Sequence, residues 1–180
     1  LKGALTFAFV VGTIAAIVVY FGAEFFTATL LKTPYSVFAL KILGPALVVV
    51  AVLGVLRGFF QGLGTMMPSA ISQIIEQIVN AIISIWAAYV LTGYGKRIGA
   101  VLGDPEHYGA AYGAAGGTLG TNLGAVAGLL FVLFVFFAYM RVFKRRMRRE
   151  RNVQVDSFSY TMKILIVTII PVLLSTTVYN

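Results

Sequence analysis

The chain has 180 residues, 59% of them apolar and 11% charged, with a formal net charge of +8 and no cysteine. At a mean hydropathy of +0.93 it carries too little polar surface to cover a soluble domain of this length, so a bilayer is the solvent to assume. The missing cysteines exclude disulfides and thiolate metal sites, and the lone histidine, His107, has no second histidine with which to share a metal.

An α-helix rises about 1.5 Å per residue, so crossing roughly 30 Å of hydrocarbon takes about 20 mostly apolar residues. Five stretches meet or approach that requirement, and they set the fold class as an all-α, polytopic transmembrane helix bundle. The first, residues 4–22, lacks a basic n-region and a small-residue cleavage site and reads as a membrane helix, not a signal peptide. The second, 37–56, carries Gly44-Pro45, a kink that a packed bundle tolerates. Arg57 and Gln61 follow in "RGFFQGLGTMMP", a glycine-rich turn ending in Pro68, whose missing N–H suits the first turn of a helix. Helices two and three are therefore expected to form a tight antiparallel hairpin, with Arg57 and Gln61 at the foot of helix three.

Helix three, 69–91, is apolar except along one stripe. Ser69, Gln73, Glu76, Gln77, Asn80 and Ser84 fall within a sector about 100° wide at about 100° per residue, while Ile75, Val79, Ile82 and Trp86 lie elsewhere. A charge exposed to lipid costs about 2.5 to 3.5 kcal/mol on insertion scales, so the stripe is expected to face the bundle interior or a water-filled cavity. The competing reading makes Glu76 a buried group hydrogen-bonded to a neighbouring helix, with the glutamines as interhelical glue. Arg57 taken alone would be a snorkelling anchor.

Residues 93–111 are expected to form an outer loop, where Lys96 and Arg97 offset Asp104 and Glu106 beside His107. Helix four, 112–140, carries Gly113, Gly117, Gly120, Gly124 and Gly128 at three- and four-residue steps, which places them on one stripe. Such a stripe is the small-residue surface along which membrane helices pack closely, and it also leaves room for one helix to slide past another.

The basic residues crowd into "RVFKRRMRRERN": Arg141, Lys144, Arg145, Arg146, Arg148, Arg149 and Arg151. Cytoplasmic loops collect Lys and Arg, so this run is expected inside, with the 57–68 turn inside and the segments 24–34 and 93–111 outside. A basic run abutting a membrane helix is a topology determinant and a ligand for anionic lipid headgroups. It lacks the interleaved aromatics of a single-strand binding face, so nucleic acid is not an expected partner. The fifth helix starts near Lys163 and reaches Asn180 without a closing loop. Since the chain also begins at Leu1, it reads as an internal fragment. No nucleophile–base pair, metal-ligand set or phosphate loop occurs, so neither an enzyme nor a cofactor is expected.

The stretch "RGFFQGLGTMMPSAISQIIEQIVN" resembles the signature of polysaccharide biosynthesis and stage V sporulation protein B-like membrane proteins, within the multidrug/oligosaccharidyl-lipid/polysaccharide exporter superfamily. "GAAYGAAGGTLGTNLGAVAGLL" is similar to that family's sixth-helix segment. The resemblance implies a MATE-like, two-lobe protein, with residues 1–142 in the N-terminal lobe, 143–162 as a cytoplasmic inter-lobe connector and 163–180 opening the second lobe. It implies flipping of a lipid-linked sugar precursor, of the lipid II or undecaprenyl-diphosphate oligosaccharide type, across the bacterial cytoplasmic membrane. Arg57, Gln61, Gln73, Glu76, Gln77 and Asn80 would line its cavity, and H⁺ or Na⁺ would be a possible coupling ion. One departure concerns Asn80, where the family carries a basic residue, so the i, i+4 pair with Glu76 is absent. Glu76 would repel a diphosphate and is expected to pair with a basic residue, bind a cation or proton, or contact sugar. The alternatives are a cation- or proton-coupled multidrug antiporter and a non-transporting scaffold in envelope or spore assembly.

Overall fold

A computed structural model describes residues 1–30, 32–149 and 157–179. Five α-helices follow one another: α1 (Lys2–Phe25), extended by a π turn Phe26–Leu30, then a 3-10 turn Pro34–Ser36, α2 (Val37–Gly62), α3 (Met67–Leu102), α4 (Pro105–Arg149) and α5 (Phe158–Tyr179). No strand occurs among the described residues, so the chain is an all-α helix bundle. Among the described residues, four helical stretches are long and apolar enough to cross a membrane: Lys2–Thr29, Val37–Gly62, Met67–Leu102 and Pro105–Met140. In the fifth, the described apolar part is the shorter Met162–Pro171, and Pro171 lies inside the helix.

The helices run longer than the hydrophobic pattern predicts. Residues 93–111 are not a loop: α3 continues to Leu102, α4 begins at Pro105, and the turn between them is Gly103-Asp104, with Gly103 at φ 83°. Glycine disfavours a helix interior by about 1 kcal/mol relative to alanine, but here packing overrides propensity. A Cβ on Gly95 would lie 2.5 Å from the Tyr108 carbonyl oxygen, and one on Gly99 would lie 2.5 Å from that of Asp104. The two glycines let α3 and α4 close on each other right up to their turn. Glu24, expected in an outer loop, sits near the end of α1, where Lys41 Nζ of α2 donates to its Oε1 at 2.8 Å.

The expected hairpin of helices two and three is confined to its turn and to the contacts of Arg57 with the first turns of α3. Gly64, at φ 78°, donates its N–H to the Gln61 carbonyl at 2.9 Å, and Pro68 stands in the first turn of α3. Beyond that turn the helices diverge. α3 lies along α4, and α4 in turn packs on α2, whose other side is covered by α1. The physical reason is the surface each helix offers: α4 has glycines toward α3 and large side chains toward α2. Leu53, Leu56, Phe60 and Val132 form the buried core of the α2–α4 contact, edged by Leu129, Phe136 and Tyr139. Phe21, Tyr89 and Val101 stay open to the surroundings, as they can where the solvent is hydrocarbon.

Candidate functional site

Arg57 lies one residue past the buried Leu56, where α2, α3 and α4 meet. Its Nη2 donates to Glu76 Oε2 of α3 at 2.7 Å, and its Nε donates to Ser72 Oγ at 2.8 Å. The Ser72 hydroxyl donates onward to the Ser69 carbonyl at 2.7 Å, while Ser69 Oγ donates to the Arg57 carbonyl at 3.2 Å. Both serines are buried, and the Arg57 and Glu76 side chains keep 16% and 19% of their surface exposed. The arginine is thus held at head and backbone by one face of α3. Its cation is already neutralised within the bundle, as a charge at membrane depth requires.

α4 presses on this network through glycine. A Cβ on Gly128 would meet Arg57 Nη2 at 3.3 Å and Glu76 Oε2 at 3.4 Å, and one on Gly124 would meet the Glu76 carbonyl oxygen at 2.7 Å. Further along, Gly120 faces Ser84, Gly116 faces the Ala87 backbone and Gly113 faces the Thr92 hydroxyl. Gly117, expected on the packed stripe, has nothing within 4 Å of its Cβ position, and Gly116 takes the contact instead. The ladder from Gly116 to Gly128 therefore keeps a four-residue step, as small-residue helix contacts do.

The polar stripe of α3 divides in two. Ser69, Ser72, Glu76, Asn80 and Ser84 lie toward α4 and Arg57, whereas Gln73 and Gln77 are exposed beside them and Gln61 is exposed near the turn. Asn80 Oδ1 accepts from Ser84 Oγ at 2.8 Å and from Thr121 Oγ1 of α4 at 3.5 Å. The Ser84 hydroxyl also lies 2.9 Å from the Gly117 carbonyl. No basic residue follows Glu76 at the fourth position, but Arg57 supplies that charge from another helix. Sequence reasoning missed Ser72 and Thr121. Ser72 carried a signal, four residues before Glu76 and therefore on its face. The side chains of Arg141, Lys144, Arg145, Arg146, Arg148 and Arg149, at the end of α4, lie outside the described residues, as does Arg151.

A second polar cluster closes the opposite end of the bundle. Tyr35 Oη donates to Asp104 Oδ2 at 3.0 Å, His107 Nδ1 lies 2.7 Å from Asp104 Oδ1, and the rings of Tyr35 and His107 stack with centroids 5.3 Å apart. The hydrogen bond from His107, helped by that from Tyr35, holds the Asp104 carboxyl below its usual range, and the same carboxylate pushes the Tyr35 hydroxyl up. No group of three or more metal-ligating side chains occurs among the described residues.

No family model and no solved structure matches the chain. Its sequence is 32% identical over 99 residues, 51% of this chain, to the lipid II flippase MurJ of Bacillus subtilis (strain 168). The matched stretch covers 18% of that relative, so the chain spans less than a fifth of the curated protein it matches. The likeness is to a flippase-like membrane protein, and it does not single out the stage V sporulation protein B-like family. Together with the four apolar spans, it makes the chain a multi-pass protein of the cytoplasmic membrane.

Proposed function

We propose that the chain is part of a flippase that moves a lipid-linked sugar diphosphate, of the lipid II or undecaprenyl-diphosphate oligosaccharide type, across the cytoplasmic membrane by alternating access. A diphosphate-sugar headgroup cannot cross about 30 Å of hydrocarbon unaided, so it needs a polar path while its isoprenoid tail stays in lipid. The observation that carries the reading is Arg57, a guanidinium fixed at the junction of three membrane helices with part of its surface still open. Arginine is the side chain best shaped to grip phosphate oxygens in pairs. Gln61, Gln73 and Gln77, all exposed, are amides suited to sugar hydroxyls. The likeness to a lipid II flippase points the same way. The basic run 141–151 fits a cytoplasmic connector seated on anionic headgroups.

The antiporter alternative rests on an intramembrane carboxylate free to take a cation or proton. Glu76 is bound to Arg57, which weakens that alternative relative to the phosphate reading. The test is the exposure of lipid II headgroups on the outer face of cells depleted of the full-length protein and complemented by variants. Wild type and Trp86→Leu are expected to restore exposure, while Arg57→Gln and Glu76→Gln, compared at matched membrane levels, fail. Restoration by Arg57→Gln would overturn the proposal. Loss of a different lipid-linked oligosaccharide, with lipid II exposure intact, would replace the substrate.

A further inference from the structure

We propose that Glu76 is a tethered counter-ion for Arg57: it occupies the guanidinium in this conformation and yields it to an incoming phosphate or diphosphate, while Ser72 holds the arginine in place throughout. The inference rests on the reading above and deepens it, by saying how the site selects its ligand.

The two contacts on the guanidinium differ in kind. Ser72 offers a neutral hydroxyl, fully buried, whose own proton is committed to the Ser69 carbonyl. An anion gains little by competing for that contact and cannot reach it. Glu76 offers a carboxylate, partly exposed, on the Nη2 side of the group. A phosphate oxygen brings the same charge and the same acceptor geometry, so it can replace the carboxylate without leaving Arg57 unpaired at any stage. Removing one partner of a buried ion pair without replacement is strongly destabilising, and exchange avoids that state.

The surroundings suit an exchange. Arg57 is pinned through its Nε and its backbone carbonyl by Ser72 and Ser69, so losing Glu76 would not release its stem. On the α4 side stands Gly128, where an added Cβ would lie 3.4 Å from Glu76 Oε2, an ordinary contact, so α4 leaves the carboxylate uncrowded. The consequence is a charge threshold. Neutral sugars and monocarboxylates do not outbid an attached carboxylate, whereas a diphosphate, with more charge and more oxygens, does.

The experiment uses the full chain in nanodiscs of zwitterionic lipid, with inorganic pyrophosphate as the probe and calorimetry as the readout. The site-specific signal is the binding lost in Arg57→Gln, which removes any contribution from the basic run. Glu76→Gln is expected to bind pyrophosphate about tenfold more tightly than wild type, a difference of about 1.4 kcal/mol. Ser72→Ala is expected to weaken binding about as much in both backgrounds, and Ser72→Thr to restore it. Should Glu76→Gln fail to fold, Glu76→Asp keeps the charge but shortens its reach, and a smaller tightening is expected. Arg57-dependent binding that is equal in wild type and in these Glu76 variants overturns the counter-ion role and leaves the phosphate reading standing. Absence of any Arg57-dependent binding overturns both.

Discussion

The Asn122 amide of α4 donates to the carbonyl of Ile42 in α2 at 2.5 Å, three residues before Pro45. Proline cannot donate to the preceding turn and its ring crowds the carbonyls there, so a helix with an internal proline needs help from a neighbour. The carbonyl that Pro45 leaves without a donor is that of Lys41, four residues back, and Asn122 bonds its neighbour on the same turn. Its own Oδ1 is buried with no hydrogen-bond partner among the described residues, which offsets part of the gain. Asn122→Leu is therefore expected to cost about 0.6 kcal/mol and at most about 1.7 kcal/mol, the span measured for hydrogen bonds between membrane helices. Equilibrium unfolding in mixed micelles checks this, and a loss well above that span would mean that Asn122 holds more than the proline kink.

The glycine ladder separates positions that look alike in the sequence. Gly117→Ala meets open space and is expected to be neutral or to stabilise by up to about 1 kcal/mol through helix propensity. Gly124→Ala puts a methyl group 2.7 Å from the backbone oxygen of Glu76, where no side chain can swing away. Overpacking of that kind costs about 1 to 3 kcal/mol. The same unfolding measurement made on both variants checks the contrast, and equal effects would show that α3 and α4 do not approach along this ladder.

The Tyr35–Asp104–His107 cluster ties the segment before α2 to the α3–α4 turn, and its pH dependence has a definite sign. Asp104 titrates below the usual carboxylate range in the folded protein, so its contribution is present above that range and is lost as pH falls through the lowered value. Tyr35 titrates above the usual tyrosine range, so its contribution is present below that range and is lost as pH rises through the raised value. The contact between the two segments is expected to be tightest between those limits. A spin label at Ser36 should gain mobility at both extremes. Tyr35→Phe, which deletes the hydroxyl, should abolish the alkaline step and shrink the acid one to what the ring stack on His107 transmits.

Periodicity and length carried the membrane bundle because hydrocarbon imposes both directly, and the polar stripe of α3 was visible for the same reason. Glu76 and Arg57 were each conspicuous alone, but their pairing was not, since the residues lie on different helices and 19 positions apart. Helical angle alone could not divide the stripe. Gln73 and Gln77 differ from Glu76 and Asn80 by less than a turn, and the position of α4 decides which of them are covered. The ends of α3 and α4 were illegible because Gly95 and Gly99 argue locally against a helix. Their value appears once the partner helix touches them.

The length of α4 turns the orientation of the whole chain into a single measurement. Glu106 lies in its first turn and Arg146 near its end, 40 positions later in one continuous helix, or about 60 Å at about 1.5 Å per residue. That exceeds the roughly 30 Å hydrocarbon core twofold, so the two positions belong on opposite sides of the membrane whichever way the helix points. The rule that Lys and Arg collect on the cytoplasmic side chooses the direction, with Arg146 inside. A cysteine at Glu106 should react with an impermeant thiol reagent added to intact cells, and a cysteine at Arg146 should react only after the membrane is opened. The opposite pattern would place Arg57 and Glu76, two turns from the α2–α3 turn, near the outer face. The substrate would then meet them on leaving the protein and not on entering it.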